Sequence, residues 1–141
     1  MEPSIVADRD GRHDGRPMSN TTVYGIPNCD TVKRARAWLD EHQVPYTFHD
    51  FKKQGVPEAE LDRWLASPGW EAVVNRRGTT WRQLDDKTRE SVVDNASARK
   101  VLLAKPSLIK RPVVRWPAKA RAEATLGFDA PAWEPLAAKA R

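Results

Sequence analysis

Cys29 is the only cysteine in this chain of 141 residues, and its position predicts a reactive thiol. It lies in TVYGIPNCDTVKRARAWLDEHQVPY, residues 22–46, between a predicted strand and the first turn of a predicted helix. Unpaired backbone N–H groups and the positive end of the helix dipole stabilise an anion there. An unperturbed thiol has a pKa of ~8.5, and such a site can lower the pKa to ~7 or below. The position therefore favours a nucleophile over the small buried hydrophobe that a lone cysteine usually is.

The neighbours of Cys29 act on its ionisation in opposite directions. Lys33 and Arg34, one helical turn further on, add positive potential, whereas Asp30, directly beside the thiol, opposes ionisation. Thr31 offers a hydroxyl or a backbone N–H to a thiolate, but a residue at a helix start often satisfies only its own backbone. Both roles of Thr31 stay open at this point.

A redox cycle between two cysteines of one chain is excluded, because Val32 occupies the second cysteine position of a Cys-x-x-Cys motif. A redox-active Cys29 therefore needs its second sulfur from glutathione, another protein or a second copy of this chain. The three histidines are scattered, and nothing stands at metal-ligand spacing from Cys29. We predict no metal site.

The elements that must position Cys29 follow a strand–helix–strand order. Residues 21–24 are typical of a short strand, and a helix is predicted from about residues 28–30 to just before Pro45. Residues 46–51 alternate with period two, as in a second strand. A helix that crosses over between two strands suggests a parallel pair with a right-handed connection. This third of the chain thus predicts half of a small α/β domain.

The rest of the chain predicts mainly helices, then two more strands and a last helix. Ser97 is the predicted N-cap of one helix, and Pro112 is out of place inside a central strand. The predicted segments are helices from 57, at about 86–94 and at 97–105, strands at 108–114 and 124–128, and a helix at 131–139.

The composition and charge of the chain limit the classes of partner that it is expected to bind. A net charge of +5 and a pI near 9.6 favour an anionic partner, such as nucleic acid, a phosphate-like oxyanion or an acidic thiol. No nucleic-acid motif occurs and basic residues alternate with acidic ones, which disfavours nucleic acid. No apolar run approaches the ~18 residues of a membrane span. We expect a cytoplasmic monomer that does not enter membranes.

The first 17 residues predict a disordered extension. They lack the apolar stretch of a secretory signal and the acid-poor character of a transit peptide. Met18 is a plausible alternative start, and residues 18–141 are then expected to form a single domain.

Three segments together resemble the arsenate-reductase (ArsC) family, specifically its YffB-type branch, to which Spx-type transcriptional regulators are related. They are GIPNCDTVKRARAWLDEHQVPYTFHDF, NRRGTTW and SLIKRPVV, and the resemblance covers about residues 21–130. It implies an α/β, thioredoxin-like fold. In that fold a four-stranded mixed sheet is flanked by helices, with a helical insertion at about 57–105 between its two halves. It also implies a cis peptide before Pro112, beside the active cysteine.

The resemblance further implies roles for individual residues. In members that reduce arsenate, the cysteine thiolate attacks the oxyanion, glutathione attacks the adduct, and arginines hold the negative charge. Arg111 falls on one such arginine, whose planar fork can grip two oxygens, although a surface arginine at a strand start stays the alternative. Besides the nucleophile Cys29, the residues expected at the thiol or substrate are Asn28, Thr31, Lys33, Arg77, Arg111 and Pro112.

The chain departs from the arsenate-reducing members in part of their site. They carry a histidine where this chain has Gly25 and a second arginine where it has Asn75, while Arg121 lies in the neighbourhood of a third. We therefore expect a glutathione-dependent thiol or oxyanion reductase with no tightly bound cofactor, acting on a small anionic substrate or a protein thiol. Arsenate itself is disfavoured. The alternative is a non-catalytic, Spx-like partner of RNA polymerase, although Val32 removes the usual Cys-x-x-Cys switch.

Overall fold

The computed structural model describes residues 21–120 and 122–141. The predictions for the first 17 residues, for Met18 and for Arg121 lie outside the described residues. The chain divides into two compact units. The first joins the chain up to Gln54 to Arg111–Arg141, and the second is Gly55–Lys110. The single domain at 18–141 with an insertion at about 57–105 stays a prediction.

The first unit contains a four-stranded mixed sheet of order β2-β1-β3-β4. Strands β1 and β2 are parallel, whereas β3 is antiparallel to both β1 and β4. The α/β class and the four-stranded mixed sheet are therefore confirmed. The strands are β1 (Thr22–Gly25), β2 (Thr47–Asp50), β3 (Val113–Arg115) and β4 (Thr125–Leu126).

Helix α1 (Asp30–Glu41) connects β1 to β2, as the strand–helix–strand pattern predicted. Its apolar stripe of Val32, Ala35 and Leu39 is completely buried because these residues share one helix face. The stripe packs into a core with β-strand residues and with helix α8 (Ala130–Ala140). This core fixes the first turn of α1 against β1, which is the turn that carries Cys29.

The third strand is shorter than predicted. Residues 108–114 were expected to form one strand, but Pro106–Leu108 is a 3-10 helix and Ile109 makes only an isolated bridge to Val74. Pro112 precedes β3 rather than lying inside it, so it removes no hydrogen bond from the sheet. The Arg111–Pro112 peptide is cis, as the family resemblance implied.

Tryptophan rings fill much of the core of the first unit. Trp133 is 1% exposed and packs edge to face with Trp116, Trp38 and Phe128, with ring centroids 4.9–5.7 Å apart. Trp38 also stacks on His42, just past the end of α1, at 3.7 Å. Such aromatic pairs add stabilisation beyond the area they bury.

Short helices make up most of the second unit. Leu61, Trp64 and Leu65 are buried on α3, because their spacing puts them on one helix face. The helices of this unit are α3 (Glu58–Ala66), α4 (Trp70–Val73), α5 (Thr79–Gln83), α6 (Asp86–Ser91) and α7 (Asn95–Ala104). A further single turn, α2 (Phe51–Gln54), follows β2 in the first unit.

The predicted N-cap of α7 is wrong by three residues. Asp94 caps the helix, and its Oδ1 accepts a hydrogen bond from the Ser97 backbone N–H at 2.9 Å. The Ser97 hydroxyl in turn accepts from the Asp94 backbone N–H at 3.1 Å. Ser97 is thus the third helical residue of a capping box rather than its N-cap. Serine is also a common N-cap residue, which is why the sequence suggested that position.

Within the described ranges, no helix is both long and apolar enough to span a membrane.

Candidate active site

Cys29 is the N-cap residue of α1, with an extended backbone at φ −142° and ψ 123°. Its carbonyl oxygen accepts the first hydrogen bond of the helix, from the Lys33 N–H at 2.9 Å. The thiol is half-buried. The N–H groups of the first helical turn lack partners inside the helix, so they are available to a group placed at this end.

The pKa of Cys29 lies below its ordinary value. Burial of the thiol raises the pKa, but the contacts that favour the thiolate outweigh this effect. The backbone N–H of Val32 lowers the pKa most, then the hydrogen bond and the charge of the Arg111 side chain, then the N–H of Thr31. The thiol makes no capping hydrogen bond of standard geometry, as expected of a weak acceptor such as sulfur. The arrangement therefore favours the anionic sulfur.

Strand pairing explains how Arg111 reaches Cys29. The antiparallel register places Val113 opposite Tyr24, so the residues that enter β3 lie beside those that leave β1. Arg111 lies just before the start of β3, and Cys29 lies just after the end of β1. Strand pairing therefore brings the two together, although they are far apart in sequence. The half-buried Arg111 side chain lowers the pKa of the Cys29 thiol through hydrogen bonding and its positive charge, and Pro112 between Arg111 and β3 is buried.

The other residues predicted near the thiol occupy different places. Thr31 is half-buried and contributes through its backbone N–H. Asn28 and Lys33 are exposed on either side of Cys29 in the chain. Their contact with a substrate stays a prediction.

Sequence reasoning missed the part played by Val32. It treated this residue only as a core side chain and as the place where a second cysteine is absent. The signal was nevertheless present, because the third residue of a helix is the one whose backbone N–H faces an N-cap side chain. Once Cys29 is the N-cap, the amide of Val32 follows.

Arg77 lies in the second unit and is exposed. Its backbone N–H donates to Asn75 Oδ1 at 3.3 Å, and its carbonyl accepts from Arg82 Nη1 at 2.7 Å. A Cβ at Gly78, the N-cap of α5, would stand 2.7 Å from Asn75 Nδ2, so the Asn75 side chain would have to shift to admit one. These local bonds account for the shape of the RGTTW segment, and the predicted role of Arg77 toward a substrate stays a prediction.

In the part of the chain that the structure describes, no three histidine, cysteine, aspartate or glutamate side chains are grouped to hold a metal ion.

The sequence pattern of the ArsC family matches residues 24–135. An uncharacterized protein of Haemophilus influenzae is 43% identical over 108 residues, which are 77% of this chain and 90% of that protein. A global transcriptional regulator Spx 1 of Oceanobacillus iheyensis is 25% identical over 95 residues, covering 66% of this chain and 71% of the regulator.

Two solved structures share both fold and sequence with this chain. A protein described as YFFB has a TM-score of 0.74 and 44% identity, covering 86% of this chain and 99% of its own. An arsenate reductase (ArsC) related protein from Brucella melitensis has a TM-score of 0.65 and 45% identity, covering 85% of this chain and 96% of its own. These similarities bear out the thioredoxin-like class that the family resemblance implied.

Proposed function

This chain belongs to the ArsC family, and from that premise we propose that it is a cytoplasmic thiol oxidoreductase with Cys29 as nucleophile and glutathione as the resolving thiol. One observation carries the proposal: the half-buried Cys29 sulfur, at the start of α1, has its pKa lowered by the Val32 amide and by Arg111. The thiolate is the nucleophilic form of cysteine, so these contacts raise the reactive fraction near neutral pH.

The proposed cycle has two exchange steps. The Cys29 thiolate attacks the glutathione sulfur of a mixed disulfide, the S–S bond breaks, and the electron pair leaves on the substrate thiolate, which takes a proton from water. A glutathione thiolate then attacks the glutathione sulfur now bound to Cys29. Glutathione disulfide leaves, and the Cys29 thiolate is restored. In sum, one mixed disulfide and one glutathione give one substrate thiol and one glutathione disulfide.

Arg111 serves both steps because it places a fixed positive charge beside the sulfur. Each step either begins with a Cys29 thiolate or regenerates one, and an adjacent guanidinium stabilises that charge. The same charge would attract the carboxylates of glutathione, which is consistent with the net charge of +5.

Arsenate is not the substrate that we propose. Gly25 and Asn75 stand where the arsenate-reducing members that this chain resembles carry a histidine and an arginine. The disulfide bond itself carries no charge, whereas the planar fork of arginine is suited to an oxyanion. The thiol chemistry is therefore retained with fewer anion-binding groups.

The similarity to Spx regulators favours one other candidate, a protein-binding role in transcription without catalysis. Binding of the full chain to RNA polymerase, equal for wild type and for Cys29→Ser, together with no disulfide turnover, would support that candidate.

The test of the oxidoreductase is turnover. The reduced protein is mixed with glutathione disulfide and its mass is measured, and then hydroxyethyl disulfide and glutathione are supplied and glutathione disulfide is followed. We expect a gain of one glutathione per chain and saturable turnover that Cys29→Ser abolishes. Turnover no faster than that of Cys29→Ser would refute the proposal.

A further inference from the structure

Gly25, the last residue of β1, is buried and faces the first turn of α1. Its φ is not positive, so the backbone does not require a glycine there. Space does. A Cβ at this position would stand 3.0 Å from Val32 Cγ2, 3.5 Å from Val32 Cγ1 and 3.8 Å from Phe48 Cε1. The missing side chain of Gly25 is thus replaced by the methyl groups of Val32.

Val32 has little freedom to move away. Its side chain is 0% exposed and belongs to the core cluster of the first unit. A β-branched side chain in a helix is held in one preferred χ1 rotamer, and protein interiors are packed too densely to absorb a displaced methyl group without strain. A methyl added at residue 25 would therefore push on the backbone of Val32 as well as on its side chain.

Val32 is the third residue of α1, the position whose backbone N–H can reach an N-cap side chain, and this N–H lowers the pKa of the N-cap residue Cys29. One residue therefore has its side chain against Gly25 and its amide toward the nucleophile. We propose that Gly25 is a positioning residue for Cys29, because its missing side chain lets Val32 seat against β1 with its amide directed at the sulfur. This inference rests on the proposed function only in that the thiol is the reacting group.

The experiment measures the rate of Cys29 alkylation by iodoacetamide between pH 5 and pH 10. All of the signal comes from one site, since the chain has a single cysteine. The variants are Gly25→Ala, Val32→Ala and the double variant. Val32→Ala keeps the amide but removes the methyl groups that a new Cβ would meet. Leu39→Ala is the control, since it removes a fully buried side chain from the same helix, about 15 Å along the axis from Cys29.

We expect Gly25→Ala to raise the midpoint of the alkylation profile by about half a pH unit, which is about threefold less thiolate below the midpoint. The same methyl added to Val32→Ala should move the midpoint by less than a third of that amount. Leu39→Ala should lower the unfolding midpoint in urea without moving the alkylation midpoint.

Two outcomes would overturn the inference. One is a folded Gly25→Ala protein with the wild-type alkylation midpoint, and the other is an equal shift with and without the Val32 methyl groups. If Gly25→Ala does not fold, the comparison of Val32→Ala with the double variant decides alone: a shift of half a unit there contradicts the proposed contact, and its absence supports it. Loss of disulfide turnover in wild type would refute the oxidoreductase and leave this inference standing, because alkylation needs no glutathione.

Discussion

At the scale of single residues, the site consists of Cys29 and the groups that stabilise its thiolate. The sequence alone was enough to predict Cys29 as a candidate nucleophile, because a cysteine between a strand and a helix start is recognisable by position. Arg111 came only from the family resemblance, since no local pattern links it to a residue in another element. The Val32 amide was missed because the helix start was predicted only to within residues 28–30, and this amide follows only once Cys29 is known to be the N-cap.

Arg111→Gln tests the guanidinium. We expect the midpoint of Cys29 alkylation to rise toward ~8.5, the value of an unperturbed thiol, because the variant loses a charge and a charged hydrogen bond at the sulfur. At pH 7 the alkylation rate should fall at least about threefold, which corresponds to a shift of half a pH unit. Arg115→Gln is the matched control, since Arg115 is exposed on β3 and donates weakly to Thr22 Oγ1 at 3.5 Å. An equal loss in both variants would mean that net charge, rather than the Arg111 contact, sets the reactivity.

At the scale of elements, the sequence predicted which helices and strands form better than it predicted where they begin and end. The apolar stripe of α1 follows from its spacing, and the parallel β1–β2 pair follows from the helix that connects the two strands, whereas the antiparallel direction of the β3–β4 pair was not predicted. The start of α7 and the extent of β3 were wrong. Asp94 and Ser97 are both good capping residues, and their choice depends on backbone geometry that the sequence does not contain. Pro112 likewise indicates that a strand begins or ends nearby, but the sequence does not show whether the strand lies before or after it.

Arg89 connects α6 to the end of α5, and no sequence pattern predicts this contact. Its Nη1 donates to the carbonyl oxygens of Arg82 at 3.1 Å and of Leu84, both at the end of α5, and its Nη2 pairs with Asp86. These carbonyls have no partner within the helix. Arg89→Ala should therefore lower the free energy of unfolding by about 1–2 kcal/mol, measured by urea denaturation.

Arg89→Lys should recover only part of that loss, because an ammonium keeps the charge but lacks the planar fork. Full recovery by lysine would show that the charge, rather than the shared hydrogen bonds, stabilises the end of α5.

At the scale of the whole molecule, the state of one thiol is linked to the stability of the fold. The pKa of Cys29 is lower in the folded protein than its ordinary value. A lowered folded pKa gives a stabilising contribution that is fully present above the unfolded pKa, ~8.5, and is lost as the pH falls through the folded pKa. The sign is therefore fixed: the thiolate stabilises the fold on the alkaline side.

We expect the free energy of unfolding of wild type, minus that of Cys29→Ser, to be larger at pH 9 than at pH 6. The measurement is urea denaturation of both proteins at several pH values between these limits, under reducing conditions. The difference should flatten when both proteins also carry Arg111→Gln, because part of the lowering of the pKa comes from that side chain. A difference that grows toward low pH would contradict the assigned direction.

The order of strands in the sheet also has a consequence for biosynthesis. Strand β1 lies between β2 and β3, and β3 follows the whole of residues 55–110 in the chain. During translation, at ~5–20 residues per second, β1, α1 and β2 therefore emerge several seconds before the strand that completes the sheet. Throughout that interval the nascent chain carries its cysteine without the arginine that lowers the thiol pKa. Cys29 is thus the first part of the candidate site to be made, and the arginine that lowers its pKa is among the last.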